Sequence, residues 1–237
     1  MLDDDEGLEA EVLDAVPIFP LPNAVLLPGM VLPLNVFEPR YLELVDYALD
    51  GGQFIGVPLL RPGYENEYEG RPETEAVFGV GRLISHQKLP DGRRFIRLAG
   101  QRRLRRVREL PPDRNFRLVE CALLEEDDPS AASQLEVLKA QLERIASTLL
   151  PDDEQLVQSV LRIPDDRIFL YATAAIVPTL GLMPGSASSQ HSAMVAMQQA
   201  SLDADTADRR IETLVEFAGA LCSQLREDGR FPETLLN

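Results

Sequence analysis

Residues 18–45 read IFPLPNAVLLPGMVLPLNVFEPRYLELV, and this stretch decides what the chain can build. Apolar runs at Val16–Phe19 and Met30–Val36 are short and interrupted by proline, which marks strands rather than helices. Prolines at 28, 33 and 39 cannot donate to a sheet ladder, so they hold the segment out of regular central pairing and leave irregular edges. At Pro39 the pattern changes. Tyr41, Leu42, Leu44, Val45, Ala48 and Leu49 follow a helical period until Gly51 and Gly52 stop it, and Pro39 sits where a first helical residue is tolerated.

Downstream, the spacing predicts more strands at Phe54–Leu60, Val77–Ser85, Arg94–Ala99 and Phe116–Leu124. Leu89-Pro90-Asp91-Gly92 predicts a tight hairpin between two of them: proline presets φ, aspartate bonds its own backbone and glycine accepts positive φ. Tyr64–Glu75 is polar, acidic and glycine-containing, and is expected to be a mobile loop.

The composition shifts at Glu125-Glu126-Asp127-Asp128-Pro129-Ser130, which predicts a protease-accessible joint. Beyond it every periodic segment is helical. Ser130 or Ser133 is placed to cap a helix with Leu135, Leu138, Leu142, Ile145 and Leu149 on one face. Shorter helices are expected after Pro151 and after Pro164, then a Met- and Ala-rich one following Ser186–Ser189, with Met194 and Met197 as core filling or a binding face. Asp203–Asp208 opens the last, lined by Ile211, Leu214, Val215, Ala218, Leu221 and Leu225. A β half followed by a helical half is an α+β pattern. The expected organisation is an acidic tail over 1–14, a β domain over 15–126 and a helical domain over 130–237.

Of 237 residues, 45% are hydrophobic and 26% charged, which excludes disorder over the whole length. The net charge of −16 opposes nucleic acid and anionic membrane, so a basic patch is the only route to either. Cys121 and Cys222 cannot form a disulfide framework, and with His86 and His191 they are too few for a zinc site. They are expected to be reduced, partly buried thiols. Asp3, Asp4, Asp5 and Glu6 stand where a secretory leader would be basic, and the apolar stretch 168–183 is too short to span a bilayer. The chain is therefore expected in the cytoplasm.

A search for chemistry finds no phosphate-cradling GxxxxGK[ST], no GxSxG elbow and no HExxH pair. Lys88 and Lys139 are the only lysines, and neither is placed for a Ser–Lys dyad. No catalytic, cofactor-binding or metal-binding residue is assigned, and no cofactor is expected. The conspicuous charge feature is Arg93–Arg108, with eight arginines and no acid, which leaves −24 for the remainder. Arginine forks suit phosphate, so Arg102, Arg103, Arg105 and Arg106 are candidate anion-binding residues, and an RNA-binding module is the alternative function. The opposing reading is a solvent-facing hairpin whose arginines pair with the surplus carboxylates. Aromatic interleaving is limited to Phe95, which gives no base-stacking platform.

Phe19-Pro20-Leu21-Pro22, Pro28-Gly29-Met30, Leu32-Pro33-Leu34 and Phe37-Glu38-Pro39-Arg40-Tyr41 closely resemble the opening of the N-terminal, substrate-recognition domain of Lon proteases, and of short bacterial proteins that carry only that domain. Gly79-Val80-Gly81, the Leu89–Gly92 turn and Gly100-Gln101-Arg102-Arg103-Leu104 fall where the family has similar residues. Met183-Pro184, Gln198-Gln199, Leu202-Asp203, Arg209 and Leu214 match more weakly. The resemblance implies a PUA-like β pseudo-barrel followed by a helical bundle. It also implies a role in selecting unfolded or damaged polypeptide, with the ATPase and Ser–Lys protease modules of Lon lying outside the region that matches. The expected partner is an unfolded polypeptide or another protein. Candidate polypeptide-binding residues are Leu26, Leu27, Met30, Leu32, Phe37 and Tyr41, because an unpaired edge beside apolar side chains can take an extended peptide as an added strand. Packing of the barrel core is the alternative for most of them.

Overall fold

The computed structural model describes residues 13–67, 70–149, 155–180 and 187–227. The chain folds as two compact units, parted between Glu125 and Glu126. The first contains β1 (Val16–Ile18), β2 (Val31–Val36), α1 (Pro39–Asp50), β3 (Phe54–Val57), β4 (Val77–Lys88), β5 (Arg94–Glu109) and β6 (Arg117–Leu123). The strands run in the order β2-β5-β4-β3-β1-β6, and β6 pairs back onto β5. Five strands thus close a loop of pairings, with β2 attached to the first half of β5. Only β1 and β3 run parallel. The fold is α+β, as the sequence pattern predicts.

The hairpin forms where expected: the Gly92 N–H reaches the Leu89 carbonyl at 3.0 Å with Gly92 at φ +87°, and Asp91 bonds the Arg93 N–H at 3.1 Å. The first helix also matches. Pro39 starts it and the Gly51 N–H closes on the Ala48 carbonyl at 3.3 Å. Its Tyr41, Leu44, Val45 and Ala48 face the sheet, where they join Phe19, Leu26, Ile55, Leu83, Ile96 and Leu98 in one core. A second core, Val16, Ile18, Phe54, Phe78, Val80, Leu104 and Val119, fills the ring of strands. On its outer side α1 is tied to β5 by Asp46, whose carboxylate takes both forks of Arg94 at 2.5 and 2.7 Å.

Between β1 and β2 the chain crosses the sheet at Leu26 and Leu27, both 1% exposed. The crossing is possible because β4 and β5 present glycine there. A Cβ on Gly79 would stand 1.8 Å from the Leu26 carbonyl oxygen, and one on Gly100 would stand 2.1 Å from that of Leu27. The two backbones are laced together by the Gly29 N–H on the Gly100 carbonyl (2.9 Å) and the Gly100 N–H on the Met30 carbonyl (2.8 Å).

Two sequence expectations need correction. The strand predicted at Arg94–Ala99 continues to Glu109, because arginines on both faces conceal the period-two pattern while the backbone stays paired with β4 and then β6. The loop at Tyr64–Glu75 opens with a 3-10 turn over Tyr64–Glu67, and its far end is pinned. Thr74 is buried and accepts from Arg106 Nη1 at 2.8 Å, and Glu75 N–H bonds the Leu59 carbonyl at 2.8 Å. Of the acidic tail expected over 1–14, residues 1–12 lie outside the described residues.

The second unit contains α2 (Ala132–Leu149), α3 (Gln155–Leu161), α4 (Asp166–Leu180), α5 (Ala187–Asp203) and α6 (Ala207–Glu227). Leu135, Leu138, Leu142 and Ile145 of α2 and Ile211, Leu214, Ala218 and Leu225 of α6 are buried, as their spacing predicts. Asp165 caps α4, accepting the N–H groups of Arg167 (2.9 Å) and Ile168 (3.3 Å). Pro151, Met183 and Ser186 lie outside the described residues. The acidic run is not a bare joint. Asp127 accepts the Ala207 N–H at 2.8 Å, and Asp208 in turn accepts the N–H groups of Ser130 (2.7 Å) and Ala131 (2.9 Å). Each helix start is thus supplied with a carboxylate by the segment beside the other, and Ser130 donates its hydroxyl to Asp208 rather than acting alone as a cap. Glu126 accepts the Tyr171 hydroxyl at 2.9 Å and pairs at 3.5 Å with Arg210, which is fully buried under the Tyr171 ring.

These contacts set the cost of single substitutions. Gly79→Ala forces backbone apart at the crossing and should destabilise the first unit by about 3 kcal/mol in urea unfolding. Gly51→Ala, whose Cβ would meet nothing closer than 3.4 Å, should stay within about 1 kcal/mol. Arg210→Ala leaves Glu126 buried without its cation and should cost the second unit about 3–5 kcal/mol.

Candidate functional site

Strand β2 ends the strand order, and Pro33 near its centre has no N–H to offer a further strand. Its side chains alternate as a half-buried strand must. Leu32 and Leu34 pack on the core, while Val31, Pro33 and Asn35 are exposed. The same phase runs across the sheet. Ile96 and Leu98 of β5 point inward and Phe95 and Arg97 outward, with Pro33 opposite Arg97 and Asn35 opposite Phe95. On β4, Ile84 follows buried Leu83 and so faces outward, and the bulge between Leu83 and Ser85 keeps Ser85 on that side too, opposite Arg97. The outer face of β2, β5 and β4 therefore carries Val31 (45% exposed), Ile84 (50%) and Phe95 (39%), with Phe37 (63%) just past the end of β2. Exposed Arg97 stands among them, opposite Pro33 and Ser85, and Arg82 lies opposite Ala99. Single exposed apolar residues are ordinary, but a group of large ones on adjacent strands marks an interaction surface.

The structure divides the six residues proposed from sequence. Leu26 and Leu27 form the buried crossing, and Tyr41 is buried in a stack on Phe19 with ring centroids 4.1 Å apart. Met30 and Leu32 are half-buried, and Phe37 stands in solvent. Apolar character alone selected them, and it does not distinguish a core residue from a surface one. Phe95 was legible from its phase opposite Ile96 and Leu98, and Ile84 from its phase opposite Leu83.

The arginine run does not form one patch, since successive residues of a strand face opposite ways. Arg93 pairs with Asp91 at 2.6 Å, Arg94 with Asp46, and Arg108 with Glu120 at 2.6 Å. Arg103 is 2% exposed and donates to the Glu125 carbonyl at 3.2 Å, while Arg106 serves Thr74. Arg105 is exposed, Arg102 half-buried. Four candidates for one anion site are thus spread between interior and surface.

Neither cysteine is an activated nucleophile. Burial pushes the Cys121 thiol up to about 12, against the smaller opposing pull of Arg106, and burial likewise raises Cys222. His86 and His191 are half-buried, each with an enclosed Nε2 that has no hydrogen-bond partner. No group of three or more His, Cys, Asp or Glu side chains suited to a metal ion occurs among the described residues, and no described helix is long and apolar enough to cross a membrane.

Comparison with known proteins gives a consistent result. The model of the ATP-dependent protease La (LON) substrate-binding domain matches residues 15–182. Lon protease 3 of Sorangium cellulosum is 27% identical over 221 residues, which is 92% of this chain and 25% of that protein. The Lon protease of Flavobacterium johnsoniae is 32% identical over 101 residues, 43% of this chain and 12% of that one. The chain therefore spans a quarter or less of these relatives, and the region matched is a substrate-binding domain rather than a catalytic module. Among solved structures, the N-terminal domain of Mycobacterium avium complex Lon protease shares the fold, with a TM-score of 0.61 at 16% identity over 87% of this chain and 98% of that one. With its β unit and the first three helices of its second unit matched as one continuous block, the chain belongs to the LON substrate-binding domain family.

Proposed function

We propose that the chain recognises non-native polypeptide through the outer face of β2, β5 and β4, and carries out no chemistry on what it binds. The observation that supports this most is the cluster of Val31, Ile84, Phe95 and Phe37 beside the terminal strand of the sheet, in a chain of a substrate-binding family. An extended peptide lying along β2 would gain main-chain hydrogen bonds from the edge and bury apolar side chains on the exposed cluster. Pro33 withholds one donor, which favours weak and sequence-tolerant capture over a fixed added strand. The arginine run favours this reading over RNA binding. Arg93, Arg94, Arg103, Arg106 and Arg108 are engaged by internal partners, and the remaining −24 of the molecule repels a polyanion.

The double variant Ile84→Ser, Phe95→Ser should weaken binding of a labelled, reduced unfolded polypeptide roughly 10-fold in an anisotropy titration, since about 1.4 kcal/mol of apolar burial is lost. Raising salt from about 50 to about 500 mM should leave the wild-type affinity nearly unchanged. Tight RNA binding with a steep salt slope, lost in Arg105→Ser, Arg108→Ser, would overturn the reading; Arg103 is unsuited to this test because it is buried. Purified protein should neither hydrolyse ATP nor cleave casein, and turnover that tracks the protein peak through re-purification would refute a purely binding role. In the native protein Cys121 should resist iodoacetamide at about pH 8 and be alkylated only after denaturation.

A further inference from the structure

The loop preceding β6 and the start of α1 help enclose a cavity of about 250 Å³, lined by Arg40, Arg71, Arg114 and Arg117. Arg40 holds Glu38 through Nε (2.9 Å) and Nη2 (2.8 Å). Arg117, nine-tenths buried, grips Glu109 through Nε (3.1 Å) and Nη2 (2.6 Å) and the Pro72 carbonyl through Nη1 (2.8 Å). Arg71 Nη1 lies on the same Glu109 at 2.5 Å. Arg114 has no carboxylate partner among the described residues; it lies 4.7 Å from the Tyr47 ring and 5.8 Å from that of Phe116. Glu43 accepts from Asn115 Nδ2 at 2.6 Å. Four guanidinium groups thus line the cavity; among the described residues Arg71 and Arg117 share one carboxylate and Arg114 has none.

Two of these arginines act on the half-buried acid between them. Burial would raise Glu109, yet Arg117 and then Arg71 hold it below the usual glutamate range, so the site already favours a carboxylate over a carboxylic acid. The rest of the wall is apolar, with Phe116, Leu60 and Tyr41. The volume lies just under the roughly 300–1,000 Å³ typical of pockets for drug-sized ligands, which leaves space for one residue of a chain. We propose that this cavity binds a polypeptide carboxylate, with the adjoining apolar side chain against Phe116 and Leu60. Arginine forks recognise such a group bidentately, and a partly enclosed wall strengthens the contact. The carboxylate can come from the chain's C-terminus or from an Asp or Glu side chain. This assignment rests on the polypeptide-binding reading above and adds a polar anchor away from the apolar face.

The test uses the full chain and three N-terminally labelled heptapeptides without other charges: one ending in Leu with a free carboxylate, its C-terminal amide, and the amide with Glu at position six. The free acid should bind about tenfold more tightly than the plain amide. A Glu-bearing amide that matches the free acid assigns side-chain carboxylates as well; one that matches the plain amide restricts the site to chain ends. Arg114→Gln, at an exposed loop position, and the pair Arg71→Gln, Arg114→Gln should erase the preference while leaving amide binding and the circular dichroism spectrum unchanged. Arg114→Lys should restore part of it. Equal affinity for acid and amide, or a preference that survives both variants, would overturn the proposal. N-acetyl-leucine, followed by NMR at Arg114, Asn115 and Phe116, separates the two readings. No shift at millimolar ligand, with unfolded polypeptide still bound, removes the cavity and keeps the apolar face. Shifts without binding of any polypeptide leave a small-acid site and overturn the polypeptide assignment.

Discussion

The first unit depends on one close approach, the Leu26–Leu27 backbone crossing the sheet where β4 and β5 have no side chains. With any Cβ at Gly79 or Gly100 the two backbones could not lie at this distance. The crossing drops Leu26 into the core beneath α1 and, through Met30 and Gly100, delivers the chain into register with β5 at Val31 opposite Ala99. Because side chains alternate, that register decides which residues of β2 meet the core and which meet solvent. Val31 stands outside because Leu32 must stand inside. The apolar face beside the free edge is thus a consequence of how the interior is closed.

Charge is used in the same way, first to close the structure. Asp46 is held below its ordinary range by Arg94, while for Glu109 and Asp165 burial acts upward and their arginine partners prevail. Each group has a folded value below its unfolded one. Their contribution is therefore full above the ordinary carboxylate range near pH 4 and is lost as pH falls below it. In the second unit Asp127 supplies the start of α6 and Glu126 holds Tyr171 and Arg210, so a segment that looks like a repulsive linker is structural.

The elements built on strong local signals were legible. Pro39 with the Tyr41–Leu49 period marked a helix to within a residue, and Leu89-Pro90-Asp91-Gly92 marked its hairpin. What failed depended on partners distant in sequence. Arg103 sits in the interior because the Glu125 carbonyl, 22 residues on, is there to accept from it; Arg210 is buried because Glu126 and Tyr171 enclose it. No pattern in either neighbourhood carries that information. The candidate site suffered from the same limit. Leu26 and Phe37 are equally apolar, and only the crossing determines that one is covered and the other exposed.

The crossing also orders events in time. The β4–β5 hairpin is closed by a four-residue turn and needs only local pairing, so its loop-closure entropy is small. Residues 24–30 have no surface to cross until that hairpin has placed Gly79 and Gly100 on adjacent strands. Loop-closure entropy thus predicts an early hairpin, with the crossing segment settling after it. Substitutions within 24–30 belong to the class that quickens unfolding while scarcely slowing folding. A nascent chain would thus carry its early apolar stretch unprotected until about seventy further residues had emerged, a solubility hazard inherent in this order of elements.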